Sequence, residues 1–230
     1  WEEPDNLAKK KHKTPFDYQT AAIEDVLAGF TESERGKLIM ACGTGKTFTS
    51  LRLAEQVVPA GGTVLFLVPS IALLSQTLKE WTIEAEVPLR SFAVCSDVSV
   101  GKRRTEEDIP VRDLAFPATT NAPALVKQFD LGATSEKLTV VFSTYQSLPV
   151  ISKAQGLGLP KFDLIICDEA HRTTGAAMSE DDESAFMKVH DQSFVAGKKR
   201  LYMTATPRIF SDGTRKKAGE LGAKLADMDD

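Results

Sequence analysis

The chain has 230 residues and a mass of 25.0 kDa, enough for one sizeable α/β domain or two small ones. Hydrophobic residues make up 42% and charged residues 26%, which excludes disorder by composition; a net charge of −4 excludes a basic coat over the whole surface but not a local basic groove. The longest apolar run, Val64 to Val68, is far too short for a membrane span, no signal-peptide pattern opens the chain, and Cys42, Cys95 and Cys167 lack metal-ligand spacing, so a reduced cytoplasmic protein without a membrane partner is expected.

Residues 1–15 read as an arm, with Lys9, Lys10, Lys11 and Lys13 as a solvated basic cluster rather than a phosphate contact. The chain begins at Trp1 rather than Met and ends inside a charged pattern, so a piece of a longer protein is expected. Tyr18–Phe30 then places Ala22, Ile23, Val26, Leu27 and Phe30 on one helical stripe. Strand-like apolar runs follow at Lys37–Ala41, Thr63–Val68, Ser91–Cys95, Leu138–Phe142, Phe162–Cys167 and Arg200–Thr204, with helical stretches at Lys46–Val57 and Ser70–Ala85 between the first of them. The alternation predicts an α/β fold with a mostly parallel sheet, helices on both faces and strands buried on both sides.

Two segments break the pattern. Gly101 to Ser135 carries Pro110, Pro117 and Pro123 and predicts a long insertion with at most a short helix near Ala124–Phe129. Gly175 to Asp191, with the acidic run Glu180 to Glu183, predicts a solvated, flexible loop rather than a metal site. In the tail, Arg215 to Met228 has Ala218, Leu221, Leu225 and Met228 at helical spacing, weakened by Gly219 and Gly222.

The first chemical signal is Cys42-Gly43-Thr44-Gly45-Lys46-Thr47, between a strand and a helix. Glycines at 43 and 45 let the backbone turn its N–H groups toward phosphate oxygens, and the helix start adds its positive dipole end. Lys46 is placed to reach the β- and γ-phosphates of ATP, and the Thr47 hydroxyl to ligate Mg²⁺. The strict pattern has a glycine where Met40 stands, so the loop alone is a moderate signal.

The second signal is the apolar strand that ends in Asp168-Glu169-Ala170-His171. Carboxylates at the carboxyl end of a buried parallel strand lie where such sheets present their ligand. Asp168 suits the hydrated Mg²⁺ that Thr47 also touches; Glu169 suits a base that orients and deprotonates water.

With both motifs in place, the chain resembles the superfamily-two DEAH-box helicases and translocases, over Phe16 to Arg208. The resemblance implies a RecA-like ATP-binding domain over 16–210, the first of two in the parent protein, between the arm and a truncated linker or helix over 211–230. Phe16-Asp17-Tyr18-Gln19 looks like the adenine-reading segment, which would pair the Gln19 amide with the base; Phe16 stands where the family often has arginine. Val68-Pro69-Ser70 resembles motif Ia and Ser143-Thr144-Tyr145-Gln146 motif Ic. The resemblance makes Pro69, Ser70, Ser143 and Thr144 nucleic-acid contacts, with backbone N–H groups and hydroxyls holding phosphates without reading sequence. Cys95-Ser96-Asp97 and Lys102, Arg103 and Arg104 are further positional candidates.

Thr204-Ala205-Thr206-Pro207 resembles motif III, whose hydroxyls at Thr204 and Thr206 would meet His171 and couple ATP state to grip. DEAH followed by Arg172, and the run Met203 to Phe210, look closest to the predicted-helicase group that includes the type ISP restriction–modification enzymes. DNA is therefore the expected polymer, and a second RecA-like domain is expected to supply arginines that this chain lacks. An RNA-dependent helicase, an ATPase acting on a protein partner and a non-hydrolysing binding module remain as alternatives. Of the other residues, His12 and His190 read as surface, Tyr202 and Met203 as core, and Cys42 and Cys167 as inert buried thiols beside the pocket.

Overall fold

The computed structural model describes residues 12–95, 118–131, 136–172, 175–177, 187–206 and 224–226. Helix α1 (Asp17–Glu32) leads into β1 (Arg35–Ile39), α2 (Lys46–Val57), β2 (Thr63–Val68), α3 (Ile71–Glu84) and β3 (Leu89–Val94). After the insertion come β4 (Ala118–Thr119), α4 (Ala122–Asp130), β5 (Leu138–Thr144), α5 (Leu148–Gly156), β6 (Phe162–Cys167), β7 (Gly175–Ala177), β8 (Gly197–Thr204) and β9 (Lys224–Ala226). Seven strands form one sheet in the order β1-β8-β6-β2-β5-β3-β4, and every pairing in it is parallel.

The period-two alternation of the strands divides the core between the two faces. Val64, Phe66 and Val68 of β2 pack with Ile23 of α1, Leu53 of α2 and Trp81 of α3. Leu65 and Leu67 pack on the other side, with Leu125 of α4 and Ile151 of α5. All six residues of β2 are buried because the strand sits at the middle of the sheet with helices on both faces. At the centre of the first face, Trp81 meets Phe66 and Phe142 edge-on, with centroids 5.2 and 5.7 Å away.

Several expectations change at the margins of the sheet. The strand expected at Lys37–Ala41 runs two residues earlier and is not covered on both faces: Lys37 and Ile39 are exposed. As an edge strand paired only with β8, β1 has one flank open. β3 is only half-buried over Leu89–Phe92, since its outer neighbour β4 contributes two residues. The helix near Ala124–Phe129 is present as α4, started by Asn121, whose side-chain oxygen accepts the Ala124 N–H at 3.0 Å. Helix α5 is an additional element, opened by Pro149 in its first turn and seated by Leu148, Ile151 and Ala154.

The stretch expected as a flexible loop, Gly175 to Asp191, contains β7 and a 3₁₀ turn at Met187–His190 with Met187 and Val189 buried. Arg200, itself buried, donates to the Val189 carbonyl, and Arg35 donates to that of His190. His190 is accordingly half-buried rather than a surface residue; its ring stacks on Tyr202 at 5.2 Å. Tyr202 and Met203 are core residues. In the tail, Lys224–Ala226 is not helical but pairs antiparallel with β7, a tertiary contact that overrides a helix already weakened by glycine. The acidic run 180–183, the basic residues 9–11 and 102–104, and the segments 96–97 and 207–210 lie outside the described residues. No helix among the described residues is long and apolar enough to cross a membrane.

Trp81 does more than fill space: its indole N–H donates to the Thr47 carbonyl at 3.1 Å, in the first turn of α2. Truncating so large a buried side chain costs about 3–5 kcal/mol. Trp81→Ala is therefore expected to lower the urea midpoint sharply in equilibrium unfolding followed by circular dichroism, whereas Ile83→Ala, two residues on and on the exposed side of the same helix, should leave it nearly unchanged.

Candidate active site

The loop after β1 is held by donors to its carbonyl groups. Gln19 Nε2 and the Tyr18 hydroxyl both donate to the Thr44 carbonyl, at 3.0 and 3.1 Å, and the Thr44 hydroxyl donates to the Ala41 carbonyl at 2.7 Å. Gly43 and Gly45 have φ of 77° and 81°, the left-handed region that side chains disfavour. A Cβ on Gly45 would also lie 2.6 Å from Gln19 Nε2, whereas a Cβ on Gly43 would meet nothing within 4 Å. Glycine at 45 is thus required twice, by φ and by contact, and at 43 by φ alone. The first helical bond of α2 is Thr49 N–H to the Gly45 carbonyl, so the amides of Lys46, Thr47 and Phe48 precede it and lack intrahelical acceptors. Lys46 Nζ lies 3.3 Å from the Met40 carbonyl, folded back over the loop.

Gln19 is buried, with its amide used at both ends: Oε1 accepts the Phe16 N–H at 3.0 Å while Nε2 holds Thr44. The family resemblance assigns this side chain to the adenine edge; in the structure it also ties α1 to the loop. Beside it, Phe16 and Tyr18 stack at 5.7 Å and are exposed.

The carboxylates sit at the end of β6. The Asp168 N–H donates to the Leu67 carbonyl of β2 at 2.9 Å, and Asp168 Oδ1 accepts the Glu169 N–H at 2.9 Å. Burial first, and then the Glu169 charge, push the Asp168 carboxyl up to about 6, against the pull of the Glu169 N–H and the positive charge of Lys46. Glu169 has φ of 50°, the one non-glycine residue with positive φ among those described, a conformation that costs an L-residue about 1–2 kcal/mol. That turn brings Glu169 Oε2 within 3.2 Å of His171 Nδ1, which is also 3.1 Å from Thr204 Oγ1.

The Thr204 hydroxyl accepts the Thr206 N–H at 3.1 Å and donates its proton to the Thr206 carbonyl at 3.2 Å. With that proton committed, Nδ1 of His171 carries a hydrogen and donates it toward Thr204 and Glu169. The link expected between His171 and motif III therefore runs through the Thr204 hydroxyl, while Thr206 takes part through its backbone rather than its own hydroxyl.

The expected polymer contacts divide. Ser70 is the N-cap of α3, its Oγ accepting the Leu73 N–H at 3.3 Å, and Pro69 beside it is buried. Ser143 and Thr144 turn their hydroxyls to partners within the protein. Both are buried; Ser143 Oγ donates to the Thr144 carbonyl and Thr144 Oγ1 to Ser147 Oγ, each at 3.1 Å. The reason is positional, since β5 lies inside the sheet and is buried over its whole length. Tyr145 and Trp81 are site-supporting residues that local sequence does not reveal: each touches a motif backbone from a distant element. The thiols differ from expectation in one respect. Cys167 is buried, with burial raising its thiol to about 12, but Cys42 is exposed on the loop.

A phosphate loop and an acidic strand end on one edge of a parallel sheet, joined to a threonine through the DEAH histidine, define the first RecA-like domain of a superfamily-two helicase or translocase. The chain belongs to the family described as "Type III restriction enzyme, res subunit", which matches residues 12–209. It is 44% identical to the ATP-dependent type ISP restriction–modification enzyme LlaBIII bound to DNA, with a TM-score of 0.76 over 97% of this chain and 14% of that one. The type ISP enzyme LlaGI, as a nuclease-deletion mutant with a DNA substrate mimic, is also 44% identical, with a TM-score of 0.69 over 86% of this chain and 18% of that one. A probable helicase of African swine fever virus (isolate Pig/Kenya/KEN-50/1950) is 31% identical over 83% of this chain. The chain spans 19% of the length of that relative.

The environment of Asp168 sets a pH signature. Its native carboxyl holds a proton more tightly than the unfolded chain does, so ionising it costs stability; the cost is absent below about pH 4 and complete above about pH 6. Asp168→Asn is expected to raise the melting temperature near pH 8 and to close the gap as the pH falls toward 4, as read by differential scanning calorimetry.

Proposed function

We propose that this chain is the ATP-binding motor domain of a DNA helicase or translocase associated with restriction–modification, coupling ATP hydrolysis to movement on DNA. The observation that carries it is the pair of strand ends on one edge of the sheet: a glycine loop after β1 with left-handed Gly43 and Gly45, and a carboxylate turn after β6 in which His171 Nδ1 lies 3.2 Å from Glu169 and 3.1 Å from Thr204. The type ISP relatives bound to DNA favour DNA as the polymer and restriction–modification as the setting.

The residues fit a magnesium nucleotide. Gly43 and Gly45 hold the loop in the left-handed turns of a phosphate cradle, open on the Gly43 side, and the unpaired amides of α2 point out of the helix end. No cluster of three or more His, Cys, Asp or Glu suited to a metal forms among the described residues, so the cation would come with the nucleotide and be held by Thr47 and Asp168. When bound, Mg²⁺ neutralises charge on the phosphate oxygens.

Lys46 would leave the Met40 carbonyl and bind the β- and γ-phosphate oxygens. Glu169 would orient a water and take its proton as the water oxygen bonds to the γ-phosphorus and the bond to the β-phosphate oxygen breaks, leaving ADP. His171 holds Glu169 on one side and Thr204 on the other, which fixes the direction of the carboxylate. Arginines from a second RecA-like domain would complete the charge balance, a contribution of about 10³–10⁵ in rate. On this reading the chain alone binds nucleotide and turns it over very slowly.

The test is the ATPase rate of the full-length protein with duplex DNA, single-stranded DNA, RNA or no polymer. Duplex DNA is expected to stimulate turnover strongly, and Lys46→Ala to abolish the stimulation. Glu169→Gln should reduce turnover by about 10²–10⁴-fold while fluorescent-nucleotide titration shows binding retained. Stimulation by RNA alone would replace DNA with RNA in this reading; no stimulation by any polymer would overturn the motor function.

A further inference from the structure

The turn that carries Glu169 is held from a part of the fold that plays no direct role in nucleotide binding. Tyr145 follows the last residue of β5 and is fully buried. β5 and β6 flank β2 on opposite sides, so a side chain leaving the end of β5 must cross the end of β2 to reach β6. Tyr145 does so: its hydroxyl donates to the Asp168 carbonyl at 2.8 Å. That carbonyl belongs to the peptide joining Asp168 to Glu169, and Glu169 has the positive φ of 50°.

Three hydrogen bonds fix this peptide and its predecessor. The Asp168 N–H is held by Leu67 of β2, the Glu169 N–H by Asp168's own carboxylate, and the Asp168 carbonyl by Tyr145. Tyr145 supplies the one that comes from the 143–147 segment. That segment is itself tied together, Ser143 to the Thr144 carbonyl and Thr144 to Ser147, and the Tyr145 ring is anchored in the core. It also lies beside the β2–α3 junction, since Thr144 is in register with Val68, the residue before Pro69 and Ser70. Rotating the Asp168–Glu169 peptide redirects the Glu169 carboxylate, and a misplacement of about 1 Å can cost about 10²-fold in rate.

We propose that Tyr145 is the positioning residue through which the 143–147 segment sets the Asp168–Glu169 peptide, so that engagement of a nucleic acid along this edge of the sheet is read as placement of Glu169. The inference rests on the motor reading above. It assigns no substrate contact to Tyr145, which acts through the backbone of its neighbour.

The experiment uses the full-length protein with Tyr145→Phe, which removes only the hydroxyl. DNA-stimulated kcat is expected to fall about 10–100-fold, and by more than the unstimulated rate, with KM for ATP and DNA affinity each within about twofold of wild type. A lower melting temperature with stimulated kcat unchanged, measured well below that temperature, would reduce Tyr145 to a structural residue and overturn the proposal. So would kcat and DNA affinity falling together in proportion to the folded fraction. Should Tyr145→Phe fail to fold, 3-fluorotyrosine at 145 keeps the shape and changes the donor strength; a shifted stimulated kcat supports the proposal and an unchanged one overturns it. A wild-type protein that no polymer stimulates would sink the motor reading and the coupling with it. Equal stimulation of wild type and Tyr145→Phe would sink this inference alone.

Discussion

The structure depends on one constraint: every strand of the main sheet runs in the same direction. Parallel pairing sends each strand's outgoing loop to a common edge, whatever the separation in sequence. Residues 40–47, 69–70, 143–147, 168–171 and 204–206 become neighbours for that reason alone. The helices that parallel crossovers require then cover both faces, which is why β2, β5 and β6 can be so thoroughly apolar and still present polar ends.

Along that edge the backbone is held chiefly by side-chain donors from other elements. Thr44 is held by Gln19 and Tyr18, Thr47 by Trp81, and Asp168 by Leu67 and Tyr145. The reactive side chains make fewer contacts: Lys46 rests on the Met40 carbonyl, and Glu169 meets His171, which also meets Thr204. A backbone held this way keeps the loop and turn in place whatever their side chains meet.

What could be read from sequence was whatever chemistry packs into adjacent residues. The phosphate loop, the DEAH turn and the threonine after β8 are each a few residues long, and the boundaries of α2, β2 and β6 follow from their own hydrophobic patterns. Less was legible where function depends on partners far along the chain. The burial of Ser143 and Thr144 follows from the place of their strand in the sheet, and the bonds that Gln19 makes to Phe16 and Thr44 follow from the packing of α1 on the loop; neither is written in the neighbouring residues. Edge effects escaped for a similar reason: nothing in Lys37 to Ile39 says that β1 has one neighbour, and nothing in Lys224 to Ala226 says that it meets β7. A hydrophobic pattern reports how a segment is buried, not by what.

Cys42 gives the chain a built-in handle. It is the exposed thiol of the three, set between Ala41 and the open turn at Gly43, while Cys95 and Cys167 are sealed in the core. A thiol-selective fluorophore or spin label should therefore attach at a single position without any cysteine being engineered or removed. The label would stand beside Gly43, where its emission or mobility reports on the glycine loop. Conversely, an oxidising solution reaches this loop before it reaches either buried thiol.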